Sequence, residues 1–153
     1  MTPTTEVIVY DDKGGANAAA RLWWMMKAIG HHHIHVIEGG LQAMIKAGAV
    51  PVTTIPSFKN TAAYPVSQWQ LPTATIDDVT KAASDTDYVV VDVRENFRYR
   101  GESEPIDLVA GHIPGAINIP YLTNLDDEGN FLSAEILAEK YKKALGVHKP
   151  EKT

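Results

Sequence analysis

Short β-branched runs alternate with segments of helical period along this chain, and that alternation constrains its fold more than any other feature. Val7-Ile-Val-Tyr10 is a continuous apolar run, consistent with a strand buried on both faces. From Ala16 to Ile29 the residues Ala19, Leu22, Trp23, Met26 and Ile29 recur at three- and four-residue spacing, which predicts a helix with one apolar face, stopped by Gly30. Trp23 and Trp24 read as core residues. Ile34-His-Val-Ile37 is a second strand, and a short helix follows from Leu41 to Ala47, closed by Gly48. Further on come a helix near 76–83, a strand at 88–91, a polar helix around 95–100 and a strand near 116–119. Ser133 is placed to cap a last helix with Leu137, Tyr141 and Leu145 on one face. Alternating strands and helices bury best as a mostly parallel sheet flanked by helices on both faces, the α/β class.

The alternation is interrupted once. Residues 49–75 carry Pro51, Pro56, Pro65 and Pro72 and no sustained period, so they read as an extended proline-rich linker between segments 1–48 and 76–153. A structureless span of that length counts against a simple single domain. The 153 residues, 44% hydrophobic, suffice for one core. A net charge of −5 with no basic run gives no footprint for nucleic acid or for an anionic membrane. No apolar run is long enough to cross a bilayer, and the leading MTPTTEV lacks the basic and apolar regions of an export signal, so a cytoplasmic location is expected. The cysteine count is zero, which excludes disulfides, thiolate metal sites and a cysteine nucleophile.

Chemistry in α/β proteins gathers beyond the carboxyl ends of strands, and there EVIVYDDKGGAN sets Asp11 and Asp12 in a turn whose Gly14 and Gly15 suit positive φ. One reading makes Asp11 or Asp12 a helix N-cap. Another is a magnesium-dependent phosphoryl-transfer pair to which Asp92 adds a ligand. HHHIHV at 31–36 places His33 and His35 on one strand face, with Glu38 the nearby acid, an arrangement that could chelate zinc or nickel. Neither metal reading outweighs the structural one, so no metal site and no cofactor is expected.

Two stretches name a family. VVVDVRENFRYRGESEPIDLVAGHIPGAINIP, with Asp92, Arg94, Arg98, Gly101 and Gly111-His-Ile-Pro-Gly-Ala-Ile-Asn118, resembles the opening half of a rhodanese (thiosulfate sulfurtransferase) domain. VIVYDDKGGANAAARLWWMMKAIG with VIEGGLQAMIKAG is similar to the closing half of the usually non-catalytic domain of tandem rhodaneses. The halves stand in reverse order. The resemblance therefore implies one rhodanese-like domain over 1–153 with its elements circularly permuted, or half-domains completed by a second copy in a swapped homodimer.

It also implies roles for residues. In a working rhodanese the turn begins with cysteine, and backbone N–H groups cradle its thiolate and persulfide. Here Asp11 stands at that position, as an internal plug of a pseudo-active loop formed with Asp12, Lys13, Gly14, Gly15 and Ala16. Asp92, Arg94, Arg98 and His112 match pocket positions, with Arg98 at the place that holds the anionic sulfur donor, since a guanidinium fork suits a two-oxygen anion. A small anion such as thiosulfate or sulfate is thus the expected partner. Against this stands a plainer reading, in which Asp92 pairs with Arg94, Arg98 and Arg100 lie solvated on a helix, and His112 packs the GHIPG turn. The expected function is a rhodanese-like binding or structural module without sulfur transfer of its own. The alternative is a piece of a tandem thiosulfate sulfurtransferase whose catalytic cysteine lies in a further carboxyl-terminal part.

Overall fold

The computed structural model describes residues 1–57, 61–66 and 68–148. The chain divides into two compact units, Met1–Pro72 with Asp127–Asn130, and Thr73–Asp126 with Phe131–Thr153.

The first unit holds β1 (Val7–Val9), α1 (Ala18–Ala28), β2 (Ile34–Val36) and α2 (Gly40–Lys46). The two strands are parallel, Val7 opposite Ile34 and Val9 opposite Val36, so α1 is their crossover. Val9, Ala19, Met26 and Ile34 form the buried cluster, with Val7, Ile29 and Val36 packed against it. The expected stop at Gly30 has a mechanism. With φ at 84°, Gly30 donates its N–H to the Lys27 carbonyl at 3.0 Å while His31 reaches the Met26 carbonyl at 2.9 Å, which is a Schellman closure. Trp23 and Trp24 are not core: each is 38% exposed. Two three-residue strands are narrower than the apolar stripe of α1, so its margins overhang; Trp24 meets Trp69 edge to face at 5.1 Å, and the Lys27 ammonium lies over Trp23.

The second unit holds α3 (Ile76–Ala82), β3 (Val91–Asp92), α4 (Asn96–Tyr99), β4 (Ile117–Asn118), a 3₁₀ turn (Tyr121–Asn124) and α5 (Ala134–Leu145). β3 and β4 pair in parallel, Val91 opposite Ile117 and Asp92 opposite Asn118. Thr75 opens α3 with a capping box: its hydroxyl accepts the Asp78 N–H at 3.2 Å and the Asp78 carboxylate accepts the Thr75 N–H at 2.9 Å. The Ser133 hydroxyl caps α5, whose Leu137, Tyr141 and Leu145 are half-buried among exposed neighbours. The strand expected at 88–91 shrinks to Val91–Asp92, because a strand is defined by its partner and β4 pairs with only those two residues.

The α/β character with parallel strands stands, and the described strand pairs do not confirm a single permuted sheet. Among the described residues β1 pairs with β2 and β3 with β4, in two separate sheets. No described helix is long and apolar enough to cross a membrane.

Candidate functional site

The loop from β1 into α1 is organised by one side chain. Asp11 Oδ1 accepts the N–H groups of Lys13 at 2.9 Å and Gly15 at 2.8 Å, and Oδ2 those of Asn17 at 3.1 Å and Ala19 at 3.0 Å. Asn17, at the N-cap of α1, contributes no side-chain cap, so Asp11 supplies that function from six residues upstream. Burial acts to raise the Asp11 carboxyl, but the four N–H donors, Ala19 foremost, outweigh it and hold the group below the ordinary range. Gly15 is required here: at φ 88° its absent Cβ would stand 2.7 Å from Val36 Cγ1 and 2.8 Å from the Ile37 carbonyl. The Ala16 N–H closes onto the Lys13 carbonyl at 3.2 Å, and the Asp11 carbonyl accepts the Leu41 N–H at 2.9 Å, tying the loop to α2. Asp12 and Lys13 face solvent, 4.0 Å apart. The two aspartates thus do not converge. A carboxylate with four backbone donors is committed, and among the described residues no group of three or more His, Asp or Glu is arranged to hold a metal.

The histidine run is committed as well. His33 Nδ1 and His35 Nε2 each lie 3.0 Å from one oxygen of the Glu6 carboxylate. His31 is fully buried, with the Tyr64 hydroxyl 2.8 Å from its Nδ1 and the His33 carbonyl 3.2 Å from its Nε2.

The second unit carries a denser cluster where β3 passes into α4. The Asp92 carboxylate accepts from the Arg94 backbone N–H at 2.9 Å, from Nε at 3.1 Å and from Nη2 at 2.6 Å; Nη2 also donates to the Gly111 carbonyl at 2.6 Å. Arg98 grips Glu104 in a two-point fork, Nε to Oε2 at 3.1 Å and Nη2 to Oε1 at 2.7 Å, and Arg94 Nη1 adds a third bond to Oε2 at 3.2 Å. Glu104 further accepts the backbone N–H groups of Ile106 at 3.0 Å and Asp107 at 3.1 Å. Its side chain is 4% exposed, and the Arg98 bond, before any other cause, holds its carboxyl down to about 2. Arg94 lowers Asp92 likewise, and the guanidinium groups of Arg94 and Arg98 are raised in turn by Asp92 and Glu104. A cavity of about 540 Å³ opens beside the cluster, between the 90–94 and 107–113 segments.

Asp92, Arg94 and Arg98 therefore come together, and Arg98, with its side chain 13% exposed, is not a solvated helix residue. Arg100 is, paired with exposed Glu102 at 2.7 Å. His112 is a packing residue: its ring stacks on Tyr99 at 3.8 Å and Nδ1 donates to the Tyr99 carbonyl at 2.7 Å. Asn118 fixes the turn after β3 through Nδ2, which donates to the Asp92 carbonyl at 2.8 Å and the Arg94 carbonyl at 3.0 Å. Sequence reasoning missed Glu104 and Asp107. The signal was available: two arginines beside a buried strand demand acid partners, and the loop 102–107 offers three.

A family model for the Rhodanese-like domain matches residues 1–47 and 75–150. The thiosulfate sulfurtransferase of Gallus gallus is 34% identical over 148 residues, covering 95% of this chain and 51% of the relative. The 3-mercaptopyruvate sulfurtransferase of Mus musculus is 31% identical over 154 residues, covering 98% of this chain and 52% of the relative. Among solved structures, SseA from Escherichia coli, a 3-mercaptopyruvate sulfotransferase of rhodanese fold, superposes with a TM-score of 0.71 at 25% identity, covering 96% of this chain and 54% of that one. The chain thus spans about half the length of the curated relatives it matches. With its parallel strand pairs and its motifs at the family's spacing, it belongs to the rhodanese-like domain family.

Proposed function

We propose that this chain is a rhodanese-like module that transfers no sulfur itself and takes a small oxoanion, sulfate or thiosulfate, at the Arg94–Arg98 cluster. The observation that carries the reading is the loop. All four of its inward N–H donors end on the Asp11 carboxylate, and the chain has no cysteine to hold a sulfane sulfur. A carboxylate in the cradle also repels an incoming anion there, whereas the Arg94 and Arg98 guanidinium groups of the second unit offer planar hydrogen-bond donors suited to an oxoanion once a carboxylate gives way. The test is thiocyanate formation from thiosulfate and cyanide by the purified protein. No turnover above buffer is expected, and turnover that co-purifies with the protein would end the proposal.

A second reading is supported by the two separate blocks of family match and by the half-length coverage of the relatives. In it the chain is the middle of a tandem thiosulfate sulfurtransferase whose further part brings the cysteine. The mass of the native polypeptide decides between the two. Cytoplasmic residence belongs to the proposal and is checked by cell fractionation. So does pairing with a second copy: Ile8 and Tyr10 in the first unit, and Phe97 and Ile113 in the second, are apolar side chains at least 40% exposed. Sedimentation equilibrium tests it, and a monomer at every concentration removes it.

A further inference from the structure

We propose that Asp107 is a built-in competitor for the anion seat, occupying the solvent-facing side of the Arg94–Arg98 pair until an oxoanion displaces it. This rests on the reading that the two arginines form such a seat. Its basis is the unequal attachment of the three carboxylates in the cluster. Asp92 and Glu104 are nearly enclosed, with side chains 11% and 4% exposed, and each is held by a guanidinium through two bonds. Asp107 is 55% exposed and touches both arginines through a single oxygen, Oδ2, at 3.2 Å from Arg98 Nη2 and 3.5 Å from Arg94 Nη1.

An oxoanion approaching from solvent meets that oxygen at the position where its own would have to sit. The neighbours of Asp107 make it displaceable. Ile106, Leu108 and Val109 are 74%, 103% and 80% exposed, so the segment has almost no buried apolar surface of its own to hold it in place. Asp107 also lines the cavity beside the cluster, so its carboxylate faces open space. Charge points the same way. With Asp107 the cluster has three carboxylates against two guanidinium groups, a net of −1 that repels anions; without it the sum is neutral, one Arg98 Nη2 N–H is released and the 3.5 Å ion pair to Arg94 Nη1 is removed.

The experiment titrates sodium sulfate, then thiosulfate, into the wild type, Asp107→Asn and the double variant Asp107→Asn/Arg98→Gln at constant ionic strength, following the arginine Nε–H resonances. Asp107→Asn keeps the size of an exposed side chain, so the fold is preserved, and far-UV circular dichroism checks this. The expected result is Kd roughly tenfold lower in Asp107→Asn than in wild type, with the Arg98 resonance moving, and loss of that binding in the double variant. Equal Kd for wild type and Asp107→Asn, with Arg98 shifting in both, overturns the competitor role and leaves the seat intact. Absence of binding in both overturns the seat and the competitor together.

Discussion

Asp11 and Glu104 solve the same problem, a carboxylate drawn out of water, by opposite means. Asp11 is held by four main-chain N–H groups from one continuous segment. Glu104 is held by two arginine side chains and by two N–H groups of its own loop. The first arrangement is local and survives as long as the turn does. The second requires β3, α4 and the 104–107 loop to be placed together, so its strength is also its dependence on tertiary structure. The Asp11 loop is thus a structural knot, while the denser cluster of paired charges sits in the other unit.

Removing Glu104 tests that contrast most severely. Glu104→Ala leaves Arg98 enclosed with only the single Asp107 oxygen, and its loss of unfolding free energy in urea is expected to exceed that of any other substitution named here. Asp11→Ala comes next, at about 1–2 kcal/mol, the scale of losing a helix cap with several N–H groups left unbonded. A larger loss at Asp11 than at Glu104 would reverse the comparison.

Acid separates the two sites by a different route. The folded-state carboxyl of Glu104 is depressed to about 2 from an ordinary 4.5, so its stabilisation is fully present above pH 4.5 and drains away as the pH falls toward about 2. Glu104→Gln is expected to flatten the stability profile across that window, measured by chemical unfolding at stepped pH; an unchanged slope means the ion pairs add nothing. Replacing Asp11 by cysteine probes the cradle itself. The folded variant is expected to form a persulfide with thiosulfate, releasing sulfite, slowly or not at all, because the Arg94 and Arg98 guanidinium donors are already bonded to Asp92, Glu104 and Asp107. Rapid thiocyanate formation would instead show a working pocket. The smallest effect belongs to Glu6, His33 and His35, all exposed: alanine at either histidine is expected to leave the thermal midpoint unchanged.

Much of this was legible from residue patterns. The helix stops at Gly30 and Gly48, the cap at Ser133 and the Asp11 turn are encoded within a few residues, where propensity and local hydrogen bonding decide. Errors cluster where distance in sequence matters. Trp23 has the spacing of a core residue, yet among the described residues the sheet beneath α1 has two strands, too narrow to cover it. Residues 88–90 have strand composition, yet the described ladder runs only over Val91–Asp92 against Ile117–Asn118, with the Ile117 N–H donated to the Val90 carbonyl at 2.9 Å as its first rung.

The sequence by itself determined the family, the absence of a thiol and the turn that Asp11 closes, because each is a matter of which atoms the chain contains and which lie a few bonds apart. Only the tertiary structure decided that the strands fall into two sheets and that Glu104, six residues beyond Arg98, takes both arginines. Pairing of strands and of enclosed charges depends on which surfaces meet in space, and spacing along the chain does not specify that.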